Sequence, residues 1–154
     1  YKGANKSLLQ ADRGHQAPLA SFAGSRYWSE LNYLSNITPQ HKDLNQGPWK
    51  NLEEAVRKAA TYRKSLFIIT GPVFNNEMPD LPDADESHQV PAGYFKMIYD
   101  LAGNSSSFVM SQNTQRKANF CDKRASIDQM QAQLKFSLPS LKDNDVIVKR
   151  LGCF

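Results

Sequence analysis

Two cysteines in 154 residues are too few to frame a disulfide-built miniprotein. No apolar run approaches the roughly 20 residues needed to span a bilayer, the longest being Ser65 to Thr70 with its neighbours. The histidines and cysteines fall at positions 15, 41, 88, 121 and 153 without metal-finger spacing, which argues against a structural zinc site. There is no Gly-x-Ser-x-Gly elbow, no Gly-x-x-x-x-Gly-Lys phosphate loop and no dinucleotide fingerprint, so acyl transfer and nucleotide switching are disfavoured. Asp83-Ala84-Asp85-Glu86 has the opening of a calcium loop but places His88 at the sixth position, where such loops need glycine. Neither an internal repeat nor a linker divides the chain, so one domain over residues 1–154 is expected. The chain opens at Tyr1 with neither Met nor an apolar signal region, as expected of a processed or truncated protein.

What the sequence does have is an even spread of apolar residues. With 40% hydrophobic, 10% aromatic and 22% charged residues, it can bury a sizeable core. Lys and Arg outnumber Asp and Glu through residue 70 and again after residue 100, whereas residues 71–100 are acidic. A basic surface interrupted by one acidic loop suits a polyanionic partner such as nucleic acid; it equally describes an ordinary basic protein.

Leu8 and Leu9 leading into Asp12-Arg13-Gly14-His15 predict a short strand bending at Gly14, followed by a turn-rich stretch from Phe22 to Trp28. Leu31 to Ile37 alternates apolar and polar residues and predicts a second strand stopped by Pro39. Asn45-Gln46-Gly47-Pro48, then Trp49, Leu52, Val56, Ala59 and Ala60 at helical spacing, predict a helix from Asn45 to Tyr62. Ser65 to Thr70, closed by Gly71-Pro72, reads as a buried strand, and Asn75 to His88 as a polar, acidic loop. Tyr94 to Tyr99 and Ser107 to Met110, separated by Gly103-Asn104, read as a hairpin. Ile127, Met130, Leu134 and Leu138 space as a weaker helix, and the tail from Val146 to Phe154 as strand or irregular chain.

The chemistry concentrates in Asp12-Arg13-Gly14-His15 and, some thirty residues on, Asn45, Glu53 and Arg57. A histidine can take a proton from water, a divalent cation can neutralise phosphate charge, and arginines can clamp the transition state of phosphodiester cleavage. Glu53 and Arg57 lie one helical turn apart on the flank of the apolar stripe, where they would line a groove beside the core. Taken singly, His15 reads as a structural histidine, Asn45 as a helix cap, and Glu53 with Arg57 as a surface pair. A specified tetrapeptide turns up in roughly one chain in a thousand of this length, so it is the joint pattern that carries weight.

Asp12-Arg13-Gly14-His15 with Gln16-Ala17-Pro18 resembles the signature of the DNA/RNA non-specific endonucleases of the Serratia nuclease type, which carry a ββα-metal site. The likeness continues through Asn32 to Gln40, Asp43 to Gly47, Trp49, Leu52-Glu53, Arg57, Thr70-Gly71-Pro72, Tyr94 with Lys96, and Gln112-Asn113-Thr114. It implies an α+β fold with a central, mostly antiparallel sheet flanked by helices, and Mg²⁺-dependent cleavage of DNA and RNA to 5′-phosphate products, with Mn²⁺ as the alternative ion. By the same resemblance His15 would be the general base and Asn45 the one protein ligand to the metal. Glu53 would orient a metal-bound water, Arg13 and Arg57 would stabilise the pentacovalent phosphate, and Asn36 and Gln40 would shape the site by hydrogen bonds.

Cys121 and Cys153 resemble the second disulfide of the secreted enzymes, implying an oxidising compartment outside the cytoplasm, secreted or periplasmic. DNA and RNA are the implied partners, no membrane is, and a homodimer and an inhibitor protein are left open. Only eleven residues precede Asp12, fewer than family members have, the segment after Phe136 is short, and the acidic loop Glu77 to Glu86 has no clear counterpart. Two rival readings follow: a catalytically incomplete nucleic-acid binding module of the same fold, and an effector-type toxin nuclease controlled by an inhibitor.

Overall fold

A computed structural model describes residues 2, 10–61, 63–74 and 79–154. The fold is α+β with two sheets. The smaller is an antiparallel pair, β1 (Ala11–His15) and β2 (Ile37–His41), with Arg13 opposite Pro39 and His15 opposite Ile37. The larger runs in the order β3 (Phe67–Val73), β4 (Gly93–Tyr99), β5 (Asn104–Ser111) and β6 (Arg124–Ala125), each pair antiparallel. A short β7 (Lys142–Asp143) joins β5 in parallel. Three helices pack around it: α1 (Lys50–Ala59), α2 (Ile127–Gln131) and α3 (Asp145–Arg150).

Strand alternation divides the core between the two faces of the larger sheet. Tyr94, Ile98, Phe108 and Met110 meet Leu44, Trp49, Leu52 and Val56 around α1, and Ile147 and Leu151 around α3. On the other face Phe95 and Met97 meet Val73 and Met130, with Ile127, Leu134, Leu138 and Leu141 packed alongside. No helix among the described residues is long and apolar enough to cross a membrane.

The β4–β5 hairpin follows the sequence pattern. Its turn is closed by Asp100 Oδ1, which accepts from the backbone N–H groups of Ala102 and Asn104, with Gly103 in the left-handed region at φ +78°. The weaker helix also forms, over Ile127–Gln131 only, with a capping box between Ser126 and Gln129. Leu8, Leu9 and Tyr62 lie outside the described residues.

Four expectations are corrected. Residues 31–37 do not form a strand: 3-10 turns occupy Trp28–Asn32 and Leu34–Asn36, and the strand runs on through Pro39. Pro39 is tolerated because Gln16 N→Asn36 O and Lys42 N→Gln10 O place the ladder bonds at alternate pairs, so position 39 points its nitrogen away from β1. The helix begins at Lys50 and ends at Ala59; Asn45 lies in a separate π-helical turn, Asn45–Trp49, broken by Gly47 at φ −110°, ψ −114°. A Cβ on Gly47 would strike the Arg116 carbonyl, and the cap before this region is His41, whose Nδ1 accepts from Asp43 N, so Asn45 is no N-cap.

The Ser65 to Thr70 run is neither fully buried nor stopped by Gly71-Pro72. β3 is the edge of its sheet, exposes Phe67 and Ile68, and continues to Val73, where a proline can sit without breaking an interior ladder. The tail is helical, because Asn144 caps Val146 N and Ile147 and Leu151 find an apolar seat against β5. The Asp83-Ala84-Asp85-Glu86 segment, disfavoured as a calcium loop by His88, lies within a turn spanned by the Asp80–Gln89 bridge, with Asp85 paired to Lys2.

Among the described residues no ladder joins the two sheets. Tyr94 OH donates to Pro39 O at 2.6 Å and accepts from Thr38 Oγ1 at 3.0 Å, while Gln112 Nε2 donates to Pro39 O and its Oε1 accepts from His41 N, each at 2.8 Å. Cys121 and Cys153 are bridged, tying the turn before β6 to the chain end after α3.

Reducing that bridge is expected to lower stability by about 3 to 4 kcal/mol on the chain-entropy relation, read as the difference between thermal unfolding with and without reductant. An unchanged midpoint would refute it. Tyr94→Phe is expected to cost about 1 to 2 kcal/mol, because a buried carbonyl loses its shortest donor; urea unfolding of the variant checks this.

Candidate active site

β1 sorts its signature by side. Arg13 and His15 are two residues apart and share one face, while Asp12 and Gly14 share the other. Gly14 is buried where a Cβ would come within 2.5 Å of Gln40 Cβ, so only glycine lets the two strands close at that point. His15 Nε2 lies 3.1 Å from Asn32 Oδ1. Since a carboxamide oxygen only accepts, this contact calls for a proton on Nε2, and in the neutral ring that leaves Nδ1 with the lone pair. Asn32 is held near His15 by Asn36, whose Nδ2 donates to Leu31 O and Ala17 O while its Oδ1 accepts from Ala17 N.

The other face of β1 meets the π turn. Asp12 Oδ2 accepts from Asn45 Nδ2 at 2.9 Å and from Gln46 Nε2 at 2.8 Å. With its nitrogen so engaged, the Asn45 amide has a fixed orientation and turns its oxygen elsewhere. Arg13, Asp12 and Asn32 line a broad surface groove of about 950 Å³.

Beneath the hairpin, α1 supplies Glu53 and Arg57, and β4 supplies Lys96. Burial pushes the Glu53 carboxyl above its ordinary value, opposed by the positive charges of Lys96, Arg57 and His15. Lys96 is only 2% exposed. Burial pulls its ammonium down to about 8, against the opposing pull of Glu53. Its Nζ reaches Thr70 Oγ1 at 3.3 Å and lies 4.6 Å from the centroid of the Trp49 ring. Glu53 and Lys96 both open onto an apolar cavity of about 260 Å³, walled by Pro18, Phe22, Val56 and Ile68.

The fold thus gathers His15, Glu53 and Arg57 into one electrostatic neighbourhood, and places Asn45 against Asp12 on the other face of β1. Asn36 bonds only to loop backbone, so it supports the loop. Gln40 is buried under Gly14, and neither its Oε1 nor its Nε2 has a hydrogen-bond partner among the described residues. Sequence reasoning did not single out Asp12, Asn32 or Lys96 for roles of their own. Lys96 was legible in principle, because alternation puts it on the core-facing side of β4 with Tyr94 and Ile98.

The profile of the DNA/RNA non-specific endonucleases matches residues 1–143 of the chain. The chain belongs to this family. It is 43% identical to the nuclease of Serratia marcescens over 137 residues, covering 85% of this chain and 51% of that protein. It is also similar to human mitochondrial endonuclease G, 39% identical over 64 residues (41% of this chain, 22% of that one). The mitochondrial nuclease of Saccharomyces cerevisiae is 34% identical over 101 residues, 64% of this chain and 28% of that protein. The chain therefore spans about half the length of the Serratia relative.

Among the described residues no cluster of three or more His, Cys, Asp or Glu could cage an ion. An oriented Asn45 oxygen beside one carboxylate suits a hard cation that keeps most of its own waters, as Mg²⁺ does.

The buried Lys96 fixes the sign of a pH effect. Its folded value lies near 8 and its ordinary value at 10.5, so the unfolded chain binds more protons between them. Its contribution makes stability rise with pH across that window, while below about 8 the full cost of burying the charge remains. Denaturant titrations in EDTA from pH 7.5 to 10 are expected to show this slope in the wild type and a flatter one in Lys96→Met. Equal slopes would refute the burial of a charged Lys96.

Proposed function

We propose that this chain hydrolyses phosphodiester bonds of DNA and RNA without regard to base sequence, and that the junction of β1, the π turn and α1 is where it does so. The observation that carries the reading is the contact of His15 Nε2 with Asn32 Oδ1, which leaves the Nδ1 side of the ring open while Glu53 on α1 lies within electrostatic reach. His15 Nδ1 takes a proton from water; the water oxygen bonds to phosphorus, and the 3′ oxygen leaves with a proton from solvent, so the product keeps a 5′ phosphate. Arg13 on the exposed face of β1 and Arg57 on α1 stabilise the added negative charge. Glu53 accepts a hydrogen bond from water and orients it.

Asn45, with Asp12 beside it, would hold Mg²⁺, or Mn²⁺ in its place, and that ion when bound supplies charge neutralisation at the phosphate and the leaving oxygen. None of these groups reads a base edge, which supports indifference to sequence and to the kind of sugar. Binding to phosphates makes affinity fall steeply as salt rises. The bridged Cys121–Cys153 pair supports a secreted or periplasmic protein.

The test is nicking of supercoiled plasmid in low salt with Mg²⁺. His15→Ala is expected to lose at least about a thousandfold in turnover while binding plasmid within a fewfold of wild type. Asn45→Ala is expected to lose metal affinity and activity together. Cutting that persists in EDTA, or normal turnover by His15→Ala, would overturn the mechanism. A folded wild type that binds plasmid without cutting would favour the binding module.

A further inference from the structure

Lys96 sits where a charged residue needs a reason. On its face of β4 the neighbours Tyr94 and Ile98 are core residues, and Lys96 is buried with them. A lysine buried for stability alone is ordinarily neutralised by a carboxylate in contact. No such contact joins Lys96 to an acidic group among the described ion pairs. Its near neighbours are a hydroxyl and a ring. Thr70 Oγ1 donates its own proton to Phe95 O at 3.0 Å, so it meets Lys96 Nζ with a lone pair. The Trp49 ring takes the cation on its face, and Trp49 stands one helical turn before Glu53.

The acid that feels this charge is Glu53. Two cations from two elements face Glu53, Lys96 from β4 and Arg57 from α1, and His15 on β1 adds a third positive charge only when its ring is protonated. Glu53 and Lys96 share the wall of one apolar cavity, where a charge acts over a longer distance than in water.

We propose that Lys96 is a positioning residue for the hydrolytic reaction: from the buried face of β4, seated on Thr70 and Trp49, it keeps the Glu53 carboxylate charged and turned toward the water that His15 deprotonates. This rests on the nuclease reading above. Burial by itself raises the Glu53 carboxyl toward its protonated form, and Arg57 is also required by the phosphate. Lys96 is buried on the core-facing side of β4, so its charge is free to serve the carboxylate throughout turnover.

The test compares Lys96→Met, Glu53→Gln and the double variant in the full chain. Lys96→Met is expected to lower kcat about 30-fold at pH 7 with KM changed less than about threefold, and to move the acid limb of the pH–rate profile about one pH unit upward. The double variant is expected to be no slower than Glu53→Gln, because both changes remove one function. An acid limb that stays in place, or losses that multiply, would overturn the proposal.

A second readout needs neither metal nor substrate. In EDTA, the side-chain NMR titration of Lys96 is expected to shift to lower pH in Glu53→Gln, so the proposal stays testable even if Lys96→Met fails to fold. An unchanged Lys96 midpoint refutes the coupling. A wild type that cuts no nucleic acid while this coupling is intact refutes the nuclease reading instead, and with it any role of the pair in turnover.

Discussion

The Pro39 carbonyl oxygen holds two otherwise separate sheets together. Tyr94 OH and Gln112 Nε2 both donate to it, and Gln112 Oε1 takes the neighbouring His41 N–H. Because no ladder runs between the small and large sheets, the position of β1, and so of Arg13 and His15, is set by these side chains. Tyr94 is fully buried and packs against Trp49, so the pin is anchored in the same cluster that seats α1. Hairpin and helix are thereby referenced to one point of the core. That shared reference is what brings β1 and α1 to face each other with a defined geometry.

The site that results is costly in isolation. An acid and a lysine are drawn out of water without touching, and the buried amide of Gln40 is unpaired among the described residues. Each disfavours folding by itself. Strongly perturbed titratable groups of this kind gather at functional sites more often than elsewhere, although ion-pair networks of purely structural use perturb them too. The capping box at α2, the Asn144 cap at α3 and the Cys121–Cys153 bridge stabilise other elements of the domain.

The connection from β1 to β2 shows how a segment without regular strands can still be exact at one atom. Its 3-10 turns leave Phe22, Tyr27, Trp28 and Tyr33 exposed. Yet Asn36 bonds three backbone groups across the segment, and Asn32 reaches the His15 ring. Side-chain to backbone bonds thus do there what a ladder does elsewhere.

Much of this was legible in the sequence, and for local reasons. The Asp12-Arg13-Gly14-His15 signature, the apolar spacing of Trp49, Leu52 and Val56, and the alternation on either side of Gly103-Asn104 are short-range patterns, and each produced the expected element or family. The rest depended on partners far along the chain. Pro39 could lie within a strand because its nitrogen faces away from β1, and Gly47 broke the helix because the Arg116 carbonyl lies against it. The tail became helical because β5 offers Ile147 and Leu151 an apolar seat. Residue types alone determined which chemical groups this chain can bring to a phosphate. Only tertiary packing decided that Asn32 meets the His15 ring at Nε2 and that Lys96 and Glu53 share a cavity, because charge, burial and orientation are properties of what surrounds a side chain.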